Sequence, residues 1–462
     1  MAFWRPGRAL PMTAQTPGPA TLPTVTTVAA TAIVIADMVG VGVFTSLGFQ
    51  VKDISSGFSL LLLWLVGGIV ALCGAFCYAE LAAMFPRSSG EYNFLTRSYH
   101  PAVGFLAGWL SATVGFAAPV ALAAMAFGEY AKAISSDLPP LLLGLALIWI
   151  VSLVHLRGTR HGSLFQVAST VLKLALIVAF IASGFWMGEP QPISFTPSAI
   201  DPSLIVSAPF AISLVFVMYS YTGWNAATYI IGEMKDPKRS LPRALFVGTG
   251  TVLVLYIALN AVFLYTTPIS ELSGQVNVAL IAGRHIFGEE GGRVVGGLIC
   301  LGLIPTVSAM MWIGPRVTMA MGEDAPLLRV FARRSANGTP RVAILIQCTV
   351  ASVLLFTRSF EAVLDFIQFS LAFCSFLAVL GVIKLRVTHP DLPRPYKAWG
   401  YPFTPLIFLT VTAFMMYYLV TVRPLQSLAG FLMMLAGLVL YAVASSQSQA
   451  VPDLKAQKVL SK

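Results

Sequence analysis

Long stretches without a single charged side chain recur along this chain, and they constrain its fold more than any motif does. Residues 58–79, 101–128, 203–232, 244–270, 294–315, 401–422 and 424–452 hold no Asp, Glu, Lys or Arg. About 20 apolar residues suffice for a helix to cross a hydrocarbon core of about 30 Å, so each run reaches spanning length. Shorter apolar runs lie at 138–154, 342–357 and 366–383, while 28–49 and 163–187 each carry one charge, Asp37 and Lys173. Together they predict twelve helical spans. A lipid-facing backbone must satisfy its own hydrogen bonds, and the alternating pattern of a membrane barrel is missing, so the expected class is an all-α polytopic membrane protein.

Only 10% of the residues are charged and 57% are hydrophobic, against roughly 25% charged in a soluble domain. The net charge of +10 is therefore a matter of topology. With twelve alternating spans, Lys52, Lys132, Arg284, Arg293, Arg358 and Arg423 fall on one side, and nearly all the other lysines and arginines on the side of the N-terminus. Positive charge marks the cytoplasmic face, which predicts a multi-pass protein of the cell membrane (plasma or bacterial inner) with both termini in the cytoplasm. The basic residues are scattered without aromatic interleaving, so nucleic acid is not an expected partner; membrane lipids are. Residues 1–23, rich in Pro, Thr and Ala, read as a disordered cytoplasmic tail without a signal peptide's compact apolar region, and 445–462 as a C-terminal tail. Five cysteines fit no metal spacing, and Cys73 and Cys77 share a helix face as small core residues do. His100, His155, His161, His285 and His389 are dispersed over loops and span ends, and no metal or other cofactor is expected. No catalytic set emerges either, and Ser89-Gly90-Glu91 and Gly288 to Gly292 read as glycine-bearing loops that match no phosphate-binding motif.

Two spans carry polar or flexible residues at mid-membrane depth. In the first, Gly40-Val41-Gly42 interrupts the run, and in the sixth Ser220, Tyr221, Thr222 and Gly223 gather polar atoms. Glycine permits non-helical dihedrals, so both are candidate breaks; the alternative is that the glycines only let helices pack closely. Counted from the breaks, spans one to five occupy 24–187 and spans six to ten occupy 203–385, with an external loop at 188–202. Because five is odd, the second unit enters the membrane from the opposite side, the pattern of an inverted-repeat transporter. Residues 386–444 then supply a cytoplasmic connection and two more helices.

Broken helices have a chemical use. The second half of the first span would expose N–H groups near Gly42, Val43 and Phe44 to a carboxylate, and the first half of the sixth would offer carbonyls near Tyr219 to Tyr221 to an ammonium group. An α-amino acid fits both ends, with Asp37, Tyr219, Asn225 and Phe116 as neighbours of its side chain. Asp37 lies one turn before the break, where an unpaired carboxylate is costly; it calls for a proton, the amine of a substrate, or Lys173. Lys173 is either its structural partner or a group that gains and loses a proton in the cycle. Glu80, Arg87, Glu91, Glu233 and Arg316 fall near cytoplasmic span ends, either as interfacial charges or as pairs that close the inner mouth. Asp236-Pro237 and Leu241-Pro242 punctuate the next loop, with Pro242 suited to an early helical position, and the proline-rich 392–405 carries little chemistry.

These residues together resemble the amino acid–polyamine–organocation (APC) transporter superfamily, and most of all its L-type amino acid permeases. Gly40-Val41-Gly42-Val43-Phe44 is similar to its Gly-Ser-Gly-Ile-Phe, with Val41 for the serine; Tyr78-Ala79-Glu80-Leu81 and Pro86-Arg87-Ser88-Ser89-Gly90-Glu91-Tyr92 follow further patterns. The most specific match is Tyr221-Thr222-Gly223-Trp224-Asn225 with Glu233 to Ala244, joined by Pro315-Arg316-Val317. The resemblance implies a LeuT-like 5+5 inverted repeat plus two C-terminal helices, and alternating access to a central amino acid site. It implies a substrate site of Asp37, Gly40, Val41, Gly42, Val43, Phe116, Tyr219, Ser220, Thr222, Gly223 and Asn225, with Tyr219, Glu80, Glu233 and Arg316 in gating. Lys173 would occupy the place of sodium in sodium-driven relatives, so transport is expected to be sodium-independent, either proton-coupled through Lys173 and Asp37 or by exchange. The family commonly has a neutral residue at Asp37, which keeps a polyamine or other organic-amine carrier as the alternative. The sequence names no partner subunit. A channel, a membrane enzyme and a sensor fit less well, for want of an open path, a reactive constellation or a signalling domain.

Overall fold

The computed structural model describes residues 25–132, 137, 139–157, 159–335, 338–358 and 360–460; the expected N-terminal tail, the side chain of His161 and the last two residues lie outside them. The described residues form helices and turns with no strand, and their only β-type pairing is one isolated parallel bridge between Val25 and Met234. In order, the helices are α1 (Thr27–Met38), α2 (Gly42–Gln50), α3 (Gly57–Met84), α4 (Glu91–Ser98), α5 (Pro101–Leu110), α6 (Ala117–Ala131), α7 (Pro140–Leu156), α8 (Thr159–Met187) and α9 (Asp201–Ile205). There follow α10 (Ala208–Ser220), α11 (Pro237–Thr266), α12 (Ile269–Leu272), α13 (Val278–Asp324), α14 (Arg341–Leu355), α15 (Phe360–Thr388), α16 (Phe403–Val422) and α17 (Pro424–Leu460).

Among the described residues, nine helical stretches are long and apolar enough to cross a membrane: α1 with α2, α3, α5 through α6, α11, α13, α16 and the apolar parts of α8, α15 and α17. Three shorter apolar helices, α7, α10 and α14, lie between them. In the first stretch 83% of the most apolar window is buried, against 28% in α17, so the interrupted helix is central and α17 peripheral. The apolar side chains that α16 and α17 leave exposed, such as Phe403, Leu425 and Phe431, suit contact with lipid.

Local chemistry sets the helix starts. Thr26 caps α1 by accepting from Ala29 N at 3.2 Å, and Ser56 does the same for α3 through Ser59 N. Proline opens α5, α7 and α11; Pro237 takes the first position of α11, and Pro242, expected at an early helical position, lies inside that helix instead. The run expected to span 294–315 belongs to a longer helix, α13. Residues 288–292, expected as a loop, begin at a break: Gly288 has φ +75° and ψ −177°, and two helices meet there in a kink within the range of α13. The loop after α8 contains α9 and is tied down by Asp201, which is 1% exposed. Its carboxylate accepts from Ser56 Oγ and Ser59 Oγ, both at 2.6 Å, and from Ser198 N and Oγ at 2.6 and 2.7 Å. These donors favour the charged form and hold this carboxyl well below the usual carboxylate range.

Candidate substrate site

Two helix interruptions meet at the centre of the bundle. The first is short. α1 closes with Val39 N donating to Ile35 O at 2.8 Å, Gly40 N turns back to Met38 O at 2.7 Å, and α2 starts at Gly42. The second is longer: α10 stops at Ser220, residues 221–225 form turns, and a 3-10 helix continues from Ala226 to Glu233. Gly223 has φ +102°, a conformation that glycine adopts without strain. Thr222 closes this turn by donating its N–H and its hydroxyl to Tyr219 O, at 3.0 and 2.5 Å.

Glycine also brings the two breaks into contact. A Cβ on Gly42 would stand 2.7 Å from Ser220 Cα, and one on Gly223 would stand 2.8 Å from both Asp37 C and Met38 N. No larger residue fits either place without moving backbone.

The carbonyls at these breaks are less open than the sequence led us to expect. Lys173 Nζ on α8 donates to Val39 O at 2.6 Å and to Thr306 Oγ1 at 2.7 Å, and the Thr306 hydroxyl lies within reach of Val39 O and Ala36 O, at 2.9 and 3.1 Å. Tyr256 Oη on α11 lies 2.5 Å from Met38 O and 2.9 Å from Ser220 O, so one hydroxyl ties the last carbonyls of both first halves. Tyr219 O is taken by Thr222. On the donor side, Phe44 N bonds to Val41 O at 3.0 Å, which leaves Gly42 and Val43 as the first-turn amides of α2 without an intrahelical acceptor. Lys173 forms no direct salt bridge with Asp37, although its charge lies close enough to act on that carboxyl, and Asp37 Oδ1 is buried with no hydrogen-bond partner.

A cavity of about 10 Å³ lies between the breaks, room for about one water. A solute the size of an amino acid enters only if these walls move. Of the expected residues, Asp37, Gly40, Val41, Gly42, Tyr219, Ser220 and Thr222 line it. Gly223 backs Asp37, and Val43 is buried behind the first break. Phe116 and Asn225 stand off, both against Tyr229: Phe116 edge-on at 5.2 Å, and Asn225 Nδ2 at 3.5 Å from Tyr229 Oη. The remaining walls, Met38, Pro119, Ala123, Thr306 and Met310, were missed in the sequence, where they read as ordinary span residues. Tyr256 was missed as well, because nothing in a one-dimensional pattern marks a tyrosine that reaches two carbonyls.

Ion pairs and hydrogen bonds tie the helix ends together on the basic side of the bundle. Arg316 Nε meets Glu233 Oε1 at 2.5 Å, its Nη1 donates to Trp312 O, and its guanidinium lies 5.5 Å from the Trp312 ring. Val25 N donates to Glu233 O and Lys235 N to Val25 O, both at 2.9 Å, which zips the start of α1 to the end of the 3-10 helix. Arg87 Nη1 meets Asp324 at 2.7 Å, and Tyr92 donates to the same carboxylate. Glu91 accepts from Tyr78 and from Ser375, at 2.8 Å for the serine. Glu80, expected in gating, is not part of the Glu233–Arg316 pair. It takes Arg386 at 2.5 Å, Ala398 N at 2.6 Å and Arg394 at 3.5 Å, so the proline-rich segment 392–405 has a chemical role as its anchor. Buried His155 on α7 contacts Ser308 Oγ at 3.0 Å through Nε2, beside the Trp312 ring. Among the described residues no group of His, Cys, Asp or Glu could hold a metal ion.

The family model described as "Amino acid permease" matches residues 25–444. The b(0,+)-type amino acid transporter 1 of Mus musculus is 28% identical over 422 residues, 88% of this chain and 85% of its own length. The serine/threonine exchanger SteT of Bacillus subtilis (strain 168) is 26% identical over 419 residues, 88% of this chain and 94% of its own. Solute carrier family 7 member 13 of Mus musculus is 28% identical over 421 residues, 89% and 87% of the two chains. With a match over nearly its whole length and an interrupted-helix site at its centre, the chain belongs to the amino acid permease family of the APC superfamily, as an integral multi-pass membrane transporter and not an enzyme.

Proposed function

We propose that this permease carries amino acids across the cell membrane by sodium-independent alternating access, with twelve spans in two inverted five-helix repeats and two further helices. Nine long and three shorter apolar helices among the described residues support that reading. The observation that carries the reading is the pair of facing interruptions, at 39–41 and 221–225, around a small central cavity. The free amides of Gly42 and Val43 suit a substrate carboxylate at the positive end of α2. Lys173 supports sodium independence: its ammonium already sits on Val39 O and Thr306 Oγ1, two oxygens that would otherwise be free to hold a metal cation. The basic side, with the Arg316–Glu233 pair and the Val25–Met234 bridge, is the cytoplasmic mouth in its closed state, and Tyr219 stands over the site from the second break.

Between exchange and proton coupling, the name of the serine/threonine exchanger among the relatives favours exchange. Reconstitution in liposomes tests the whole reading with labelled serine, leucine, lysine and putrescine under imposed sodium and pH gradients. Saturable uptake that survives replacement of sodium by choline and requires an internal amino acid is the expected result. Absence of saturable uptake of every solute would overturn the transport reading, and sodium-driven accumulation would overturn the role given to Lys173.

A further inference from the structure

α11 carries a stripe that its neighbours leave uncovered. Arg239, Arg243, Phe246, Gly250 and Val254 follow one another at three- and four-residue spacing, so they share one face of the helix over about 22 Å of its length. Both arginines are exposed, as are Phe246 (52%) and Val254 (66%), and a Cβ on Gly250 would meet nothing within 4 Å. The stripe thus runs from two guanidinium groups past a ring to a notch beside exposed aliphatic carbon. Phe76 on α3 stacks on Phe246 with ring centroids 5.7 Å apart, and Trp399 leans on Phe76 at 5.8 Å. Trp399 is 73% exposed yet held on both flanks: Ala398 N donates to Glu80 Oε2 at 2.6 Å, and Thr404 Oγ1 donates to Trp399 O at 2.9 Å. Lys397, also exposed, stands two positions before it. A tryptophan at a membrane interface suits any lipid; unpaired basic groups beside it call for an anionic one. Among the described residues, the ion pairs take up Arg87, Arg316, Arg334, Arg386 and Arg394 on this side of the bundle, but not Arg239, Arg243 or Lys397. Asp236, three positions before Arg239, joins none of them.

Resting on the cytoplasmic placement of the basic side, we infer that the surface shared by α3, α11 and residues 397–399 seats one anionic phospholipid of the cytoplasmic leaflet. Its phosphate lies with Arg239, Arg243 and Lys397, its glycerol ester region against Phe76, Phe246 and Trp399, and an acyl chain in the notch at Gly250. Guanidinium groups take phosphate oxygens in pairs, and long basic side chains reach from a helix to headgroup level. A free phosphate has no chain to cover the notch and the aliphatic end of the stripe, so charge and apolar surface together select a lipid. Position gives the seat a bearing on the transporter: α11 begins four residues beyond Glu233, the partner of Arg316.

Native mass spectrometry of the delipidated full-length protein tests this, with dioleoyl phosphatidylglycerol and dioleoyl phosphatidylcholine titrated side by side. The wild type should bind its first phosphatidylglycerol at least tenfold more tightly than phosphatidylcholine. Arg239→Gln, Arg243→Gln and Lys397→Gln combined should bring the two lipids within twofold, whereas Arg329→Gln, Arg333→Gln and Arg341→Gln combined, on the same side of the bundle, should keep the tenfold preference. Gly250→Phe fills the notch without removing a packed side chain and should weaken phosphatidylglycerol at least threefold. The inference is overturned if the wild type shows no preference, if the first triple variant keeps it, or if both triple variants lose it alike, which would mean diffuse charge. It is equally overturned if Gly250→Phe binds phosphatidylglycerol as the wild type does, or if inorganic phosphate displaces the lipid. Should the first triple variant fail to fold, Gly250→Phe and the phosphate competition decide. Binding is read on purified protein, so these outcomes stand apart from the success or failure of the uptake assay.

Discussion

The two interruptions are built differently although they face each other. The first spans three residues, resumes as a regular α-helix, and is held from outside its own chain segment by Lys173, Thr306 and Tyr256. The second spans five, needs a left-handed glycine, closes partly on itself through Thr222, and resumes as the tighter 3-10 helix. Tyr256 hydrogen-bonds to both. Neighbouring helices thus clamp the first break by its own carbonyls, whereas the second is fastened by a side chain, Tyr221 Oη donating to Trp64 O at 2.9 Å, while its turn closes on itself. The second is the better suited to change shape, since a 3-10 helix has the poorer hydrogen-bond geometry and its far end is held by the Arg316–Glu233 pair.

That contrast is breakable by substitution. The largest effect is expected from Gly223→Ala, which combines a forbidden φ with backbone overlap; unfolding in detergent should show a loss of about 3 kcal/mol, and uptake should vanish. Gly40→Ala is its counterpart in the first break, where the tightest contact of a Cβ is Thr306 Cγ2 at 3.2 Å, and should cost about 1 kcal/mol. Equal losses in the two variants would erase the distinction. Lys173→Met comes next: it strips Val39 O and Thr306 of their ammonium, a cost of about 1–3 kcal/mol, and should abolish uptake while protein of normal size-exclusion profile remains. Normal uptake with normal gradient dependence in that variant would reduce the lysine to packing.

Tyr256→Phe should cost about 1 kcal/mol and lower the uptake rate without abolishing it, because the ring stays packed on Trp64 and Tyr221 while both breaks lose their shared donor. Amide exchange that accelerates at only one break would show that the tie is one-sided. The smallest effect on transport belongs to Asp201→Asn, which touches neither break. Its folded-state value lies below that of an unfolded aspartate, so the stabilisation is present above the ordinary carboxylate range and is lost as pH falls below about 4. Thermal unfolding followed against pH should show the wild type losing its advantage over the variant on acidification, with substrate affinity equal in both; an advantage that grows on acidification would contradict the proton linkage.

The helical class, the interior position of both breaks and the membership of Asp37 and Tyr219 in the central wall were legible from residue order. Uncharged length and glycine or hydroxyl residues inside it act over a few neighbouring positions, so a linear reading detects them. Gly288 was legible in part: the glycine-rich stretch read as a loop, and a non-helical residue does join two helices there, but the residues after Gly288 are helical. Partners were harder. Glu80 was grouped with Arg316 by its place at a span end but binds Arg386, Arg394 and Ala398 N, more than 300 positions on in the chain.

Residue order alone therefore determined that this chain must satisfy its backbone within helices, and where along them that satisfaction fails, because both follow from local composition in a solvent without hydrogen bonds. Tertiary structure decided who repairs the failure. Whether Lys173 meets Asp37 or Val39 O, and whether a tyrosine closes the carbonyls that a substrate amine would have used, depends on how α8 and α11 pack against the breaks, and distances of 2–3 Å between segments over a hundred residues apart are written only in the folded chain.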